Sequence, residues 1–330
     1  MSYTFRKAVR ERTPLLIGLV GPSGSGKTKS ALRLAKGIQS IVGGKIAGID
    51  TEARRMLHYA DQFEFEHLDM KAPFGSLDYK TAIEGAIKLG AKTVIVDSMS
   101  HEHEGAGGYL ELHEAELDRM AGDNWDKRGK MTFTAWIKPS GNRRKLINFM
   151  LQADCNFIFC FRAKEKLKLE KGKDPKELGW QAIAGEEFVY EMLIRCLLPA
   201  GARGRPEWSP EAMALGVPKI ADGVEAVFSE PAQLDEDIGA RLAKWASGAP
   251  AEKRDEPKGG AFDEEPEAPA RVTVDQALAL EAACTEHGVS AEAFKKQAGV
   301  ARFDEVLAED YERARKWILK RAKRTEGAPA

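Results

Sequence analysis

Residues 15–28 read Leu15-Leu-Ile-Gly-Leu-Val-Gly21-Pro22-Ser23-Gly24-Ser25-Gly26-Lys27-Thr28, an apolar run that ends in a glycine-rich turn. The second half fits G-x-x-x-x-G-K-[ST], and its flanks decide the fold. Leu15–Val20 is a short strand-like run closed by glycine. Beyond the turn, Ala31, Leu34, Ala35 and Ile38 recur at helical spacing. Strand, loop and helix in that order make a phosphate cradle. Glycines let the backbone wrap phosphate oxygens with its N–H groups pointing inward. The helix that follows turns its positive end toward the anion. In this chemistry Lys27 reaches the β- and γ-phosphates, and the Thr28 hydroxyl ligates Mg²⁺. The expected ligands are therefore ATP and Mg²⁺. The expected nucleotide-binding residues are Gly21, Pro22, Ser23, Gly24, Ser25, Gly26, Lys27, Thr28 and Lys29. A flexible Gly/Ser turn is the bland alternative, but it leaves the flanking strand and helix unexplained.

Working outward, strands and helices alternate. Lys45–Ile49 reads as a second strand. Ala82, Ile83, Ala86 and Ile87 mark a helix with Gly90 near its end, and Thr93–Val96 is a third strand. A helix carrying Leu146, Phe149 and Met150 precedes the strand Phe157–Phe161, and Leu193–Leu198 reads as a fifth strand. This order predicts an α/β fold with a mostly parallel sheet covered by helices. Ligands in such sheets sit at the carboxyl ends of the strands. Asp97, closing Thr93-Val-Ile-Val-Asp97, is placed to hold the magnesium through water. Ile49-Asp50-Thr51-Glu52 closes the second strand. Glu52 is the candidate base for the attacking water, with Asp50 holding the loop or the metal shell. An equal reading is that Asp-Thr-Glu simply starts a helix.

The motifs occur in an ordered set: FRKAVRERTPLLIGLVGPSGSGKTKSALRLAKGI, GIDTEARRMLHYAD, VIVDSMSHEHEGAGGYLEL, AWIKPSGNRRKLINFMLQADCNFIFCFRAKEK and GEEFVYEM. Across about residues 5–198 this set resembles RecA-like phage ATP-binding proteins, often described as phage AAA-family ATPases. The resemblance implies a RecA-like P-loop core and ATP hydrolysis with Glu52, Lys27 and Asp97 as catalytic residues. It also implies assembly into a homo-oligomer and a role on single-stranded DNA in phage recombination, annealing or repair. In RecA-like cores the segment after the Phe157–Phe161 strand forms a mobile DNA-binding loop. Residues 162–176 hold seven basic and three acidic side chains there, among them Lys164, Lys166 and Lys168. Such cations neutralise phosphates without reading sequence. A solvated hairpin or helix face is an equal reading. The γ-phosphate sensor position falls at Cys160 or Phe161, neither a strong donor, so Arg162 is the candidate for that role or for a finger into a neighbouring subunit. His103 stands where similar proteins tend to carry an aromatic.

Three other clusters are open to more than one reading. Arg143, Arg144 and Lys145 beside Trp136 suit a single strand, since cations and aromatics together bind one; a helix face is as good a reading. His101, Glu102, His103, Glu104 and His113 lack HExxH spacing for a metal; Glu102 and Glu104 are rival bases. The cysteines Cys155, Cys160, Cys196 and Cys284 form no CxxC pair, and Cys155 and Cys160, beside or in an apolar strand, read as small core residues.

Residues 247–270 are rich in Pro, Gly, Ala and charge, which predicts a disordered linker. It separates a core over 1–246 from a small helical domain over 271–330. In the latter, Ala277, Leu280 and Cys284 share a face, Ser290 caps a second helix, and Tyr311, Ala314 and Ile318 share a face of a third. The tail is expected to solubilise the protein, or to recruit phage recombination or single-strand-binding proteins, or to touch DNA weakly. The first 246 residues carry 36 basic and 34 acidic side chains, what remains of 50 and 51 after the 14 and 17 beyond. A global basic footprint is thereby excluded, and any nucleic-acid contact must be local. No apolar run reaches the ~20 residues of a membrane span, so a cytoplasmic place in a bacterial host is expected. Two other functions remain open at this level. One is a nucleotide-dependent switch acting on protein partners. The other is a small-molecule P-loop kinase, for which no lid or acceptor site is evident.

Overall fold

The computed structural model describes residues 5, 7–168, 176–214, 216–228, 232–249 and 271–325. The chain divides into two compact units, Met1–Glu256 and Pro257–Ala330. Residues 250–270, most of the expected linker, lie outside the described residues.

The first unit runs β1 (Leu16–Gly21), α1 (Lys27–Val42), β2 (Lys45–Asp50), β3 (Glu66–Asp69), α2 (Ser76–Lys88), β4 (Ala91–Asp97), α3 (Ser100–Glu104), α4 (Tyr109–Ala121), α5 (Trp125–Ala135), α6 (Ile137–Gln152), β5 (Asn156–Lys168), β6 (Lys176–Ala182), α7 (Glu186–Tyr190), β7 (Ile194–Leu197), α8 (Pro210–Ala214) and α9 (Glu236–Ala246). The seven strands form one sheet in the order β3-β2-β4-β5-β1-β7, with β6 paired to β5. Every pairing is parallel except β5 with β6. The expected α/β architecture is therefore present.

Each central strand is apolar on both faces because helices cover both. Ile17, Leu19, Ile95, Ile158 and Cys160 pack toward α1 and α9. Their alternates Leu16, Val20, Val94, Val96, Phe157, Phe159 and Phe161 pack on the other face with Ile83 of α2 and Leu146 and Met150 of α6. Period-two alternation thus feeds two cores from one sheet. Two strands escaped the sequence reading. β3 is four residues long and half exposed, so it carries no apolar run. β6 belongs to a hairpin in which β5 continues eight residues past Asp97's partner Cys160 as a charged ribbon. Of the basic stretch 162–176, residues 169–175 lie outside the described residues, as do the side chains of Lys166 and Lys168.

The second unit contains α10 (Val274–Glu286), α11 (Ala291–Ala298) and α12 (Tyr311–Thr325). Ala277, Leu280, Cys284, Phe294, Ala314 and Ile318 form its core. Ser290 caps α11 by accepting from the Ala293 N–H. Among the described residues no helix is long and apolar enough to cross a membrane.

Candidate active site

Strand register assembles the site. Asp50 of β2 lies opposite Asp97 of β4, Asp97 opposite Cys160 of β5, and Gly21 of β1 opposite Arg162 of β5. Three strand ends and the middle of β5 therefore bring the glycine-rich loop, two acids and an arginine to one edge. They surround a cavity of about 680 Å³ lined by Pro22, Ser23, Gly24, Gly26, Lys27, Thr28, Glu52 and Asp97. Gly21, Ser25 and Lys29 are not among its lining. Ser25 is buried and turns its hydroxyl onto the Pro22 carbonyl, so it shapes the loop from within.

Gly26 shows why the loop needs glycine. Its φ is +95°, and an added Cβ would stand 2.6 Å from the Gly204 nitrogen. The Gly204 N–H donates to the Ser25 carbonyl at 2.9 Å, so residues beyond β7 buttress the loop. Lys27 Nζ donates to the carbonyls of Gly21 and Pro22 at 2.8 and 2.7 Å. Burial lowers the Lys27 ammonium, against the opposing pull of Asp97 and Glu52. Thr28 Oγ1 donates to Asp97 Oδ2 at 2.5 Å. Burial pushes the Asp97 carboxyl up to about 6, with the Thr28 bond working against it and the Glu52 charge adding to it. The peptide between Asp97 and Ser98 is cis.

Asp50 is wholly buried and acts as a loop holder. It accepts from the N–H of Glu52 at 2.7 Å and of Met56 at 2.9 Å, and lies 3.3 Å from His67 Nε2. The short helix Arg55–Tyr59 follows, so the alternative of a helix start after Asp-Thr-Glu describes the backbone and leaves Glu52 on the cavity wall. Glu52 is bound side-on by Arg162: Nε to Oε1 at 2.8 Å and Nη2 to Oε2 at 2.9 Å. Burial raises the Glu52 carboxyl, but the Arg162 bonds and charge outweigh it and the net shift is downward. His101 lies behind, its Nδ1 2.7 Å from Thr51 Oγ1 and its ring stacked on Phe74. Burial, then the Arg162 charge, lowers it, which keeps the imidazole neutral.

Two expectations fail here. Arg143 was a candidate surface contact for DNA, yet its side chain is 2% exposed. It donates to both oxygens of buried Glu102 at 3.1 and 2.8 Å and to Glu187 at 3.0 Å, and stacks on Tyr109. A cation on the apolar side of α6 requires such partners, since an unpaired buried charge costs several kcal/mol, roughly 3–5. Glu102 is thereby removed as a rival base, being consumed by Arg143 and by Ser76 at 2.6 Å. Arg144 and Lys145 remain exposed, and so does Lys164. Glu104 does line the cavity.

Sequence reasoning missed Arg55, His58 and Tyr59, which also line the cavity. Only their spacing of three to seven residues beyond Glu52 signals them. Tyr59 is half-buried, and its hydroxyl is held above the ordinary phenol range by burial and by Asp97.

The donor set suits a hard cation. A hydroxyl and one carboxylate within 2.5 Å offer oxygen ligands only, and Mg²⁺ characteristically takes few protein ligands beside phosphate and water. Among the described residues there is no cluster of three or more His, Cys, Asp or Glu side chains arranged for a metal. No family model matches this chain, and no curated protein matches it.

Proposed function

We propose that this chain is a RecA-like P-loop ATPase that acts on single-stranded DNA in phage or prophage recombination, annealing or repair. One observation carries the reading: the loop lysine, the Thr28–Asp97 pair and Glu52 converge on a single cavity at the carboxyl edge of a parallel sheet. In this reading the N–H groups of residues 23–28 cradle the phosphates, and Lys27 leaves its carbonyl partners to meet them. Thr28 and Asp97 hold Mg²⁺, which when bound neutralises charge on the phosphate oxygens. Tyr59 offers a ring for the base.

Glu52 orients and deprotonates water. Arg162 takes one lone pair on each oxygen and weakens the carboxylate as a base, so opening the pair would strengthen it. Arg162 stands on the strand that continues as the β5–β6 ribbon. DNA on that ribbon would draw Arg162 away and connect strand binding to hydrolysis. Homo-oligomeric assembly and partners for the second unit belong to this same reading.

The test is ATP hydrolysis with and without single-stranded DNA, beside Lys27→Ala and Glu52→Gln. Stimulation by DNA that both variants abolish is the expected result. Hydrolysis that ignores DNA would transfer the reading to a switch acting on protein partners. Hydrolysis that survives Glu52→Gln would transfer the base to Glu104.

A further inference from the structure

Three strongly exposed large apolar side chains of the first unit lie along one short stretch, residues 125–137, while a fourth, Tyr190 at 79%, ends α7. Phe133 is 87% exposed, Trp125 84% and Ile137 70%. Trp125 opens α5, Phe133 lies near its end, and Ile137 opens α6 immediately beyond. α5 buries only Ala135, so most of its circumference faces outward. Lys127 and Lys130 stand on the same helix, both exposed. Lys130 and Phe133 are three residues apart and share a face, as do Lys127 and Lys130. Among the described residues neither lysine forms an ion pair, whereas Arg128 and Lys138 are tied to Glu114, Asp118 and Glu116.

An aromatic stack underlies the junction of α5 and α6. Trp136 lies stacked between Tyr109 at 5.0 Å and His113 at 3.7 Å, and Tyr109 packs on the buried Arg143. This stack anchors the junction of α5 and α6, between Phe133 and Ile137.

Composition indicates what the face would take. Protein interfaces concentrate aromatics at their core but exclude lysine from it. Here two lysines without ion pairs among the described residues lie between the rings on the same helix. That pattern matches a ligand with a continuous negative backbone and flat apolar faces, which stack on rings while phosphates meet cations. We infer that α5 and the start of α6 form a stacking track for single-stranded nucleic acid, with Trp125 and Phe133 as platforms and Lys127 and Lys130 as phosphate contacts. The inference rests on the DNA reading above and relocates part of the contact from the β5–β6 ribbon to this face.

The experiment is fluorescence anisotropy of a labelled oligothymidylate with the full chain. Trp125→Ala with Phe133→Ala should weaken binding at least about tenfold, and Trp125→Phe with Phe133→Tyr should restore most of it. Lys127→Gln with Lys130→Gln should lower the slope of log affinity against log salt by about 0.7 per lysine. Affinity for a fluorescent ATP analogue should not change in any variant, which reports a folded core. If the parent binds oligothymidylate and the alanine pair binds it equally well, the track is overturned while the DNA reading stands. If the alanine pair instead alters the sedimentation of the protein without altering DNA affinity, the face is a self-association surface and the track is overturned. If the parent binds no oligothymidylate, the DNA reading itself fails and takes the track with it.

Discussion

Asp97 is 5% exposed, and its carboxyl sits near 6 because burial penalises the charged form. This raised value ties stability to pH in a definite direction. Between 3.8 and about 6 the native state keeps a proton that the unfolded chain releases, so stability is lost as pH rises through that window. The loss is of order 3 kcal/mol, from roughly two units at about 1.4 kcal/mol each. Denaturant titrations in chelator should show it, and Asp97→Asn should flatten the profile and leave the metal-free protein more stable at neutral pH. The same variant should abolish hydrolysis, since Asn cannot offer a full negative charge to the cation. A profile as steep in Asp97→Asn as in the parent would place the titration elsewhere. Glu52 has the opposite sign. Arg162 holds it down, and Arg162→Ala would leave only the weaker pull of His101 and Arg55 against burial. The acidic limb of the pH–rate profile should therefore shift to higher pH in Arg162→Ala. An unmoved limb would dissociate Glu52 from the proton transfer.

At the scale of elements, α1 carries Lys27 and Thr28, so whatever seats α1 seats the site. Its principal neighbour is α9, and the two approach at glycines. A Cβ on Gly37 would lie 1.9 Å from the Glu236 carbonyl oxygen, and one on Gly239 2.3 Å from that of Leu34. Arg33 meets Glu236 across the same crossing at 2.7 Å. Backbone cannot yield as a flexible side chain can, so Gly239→Ala must push α9 outward. Overpacking of this kind costs typically 1–3 kcal/mol, and thermal unfolding should fall by several degrees, about 2–4 per kcal/mol for a unit of this size. Gly85→Ala is the control: an added Cβ there meets nothing within 4 Å, and α2 should gain slightly from the better helix former. Equal stability of Gly239→Ala and the parent would mean that α9 does not brace α1.

Over the whole molecule, what the sequence reveals depends on how local the cause is. The glycine-rich loop was legible because its motif lies in eight consecutive residues between a strand and a helix. The parallel sheet was legible because buried strands such as Thr93–Val96 are apolar on both faces. Asp97 and Glu52 followed from strand ends alone. The pairing of Glu52 with Arg162 spans 110 positions and exists only through the Asp50–Asp97–Cys160 register across β2, β4 and β5, so no local pattern announces it. Arg143 misled for a related reason: it sits in a basic triplet, and only the fold reveals that Glu102 and Glu187 draw it inward. The long-range architecture makes a further statement about the two units. Every residue lining the cavity, from Pro22 to Ile183, belongs to Met1–Glu256. The core Val272–Ile318 is built wholly from the second unit's own side chains. A chain ending after residue 256 should therefore bind ATP with the affinity of the full chain and keep its basal hydrolysis. Removal of the second unit should show instead in whatever that unit recruits. Nucleotide affinity measured by isothermal titration for both lengths decides the matter, and a loss of about tenfold or more on truncation, some 1.4 kcal/mol, would mean that the helical unit completes the nucleotide site.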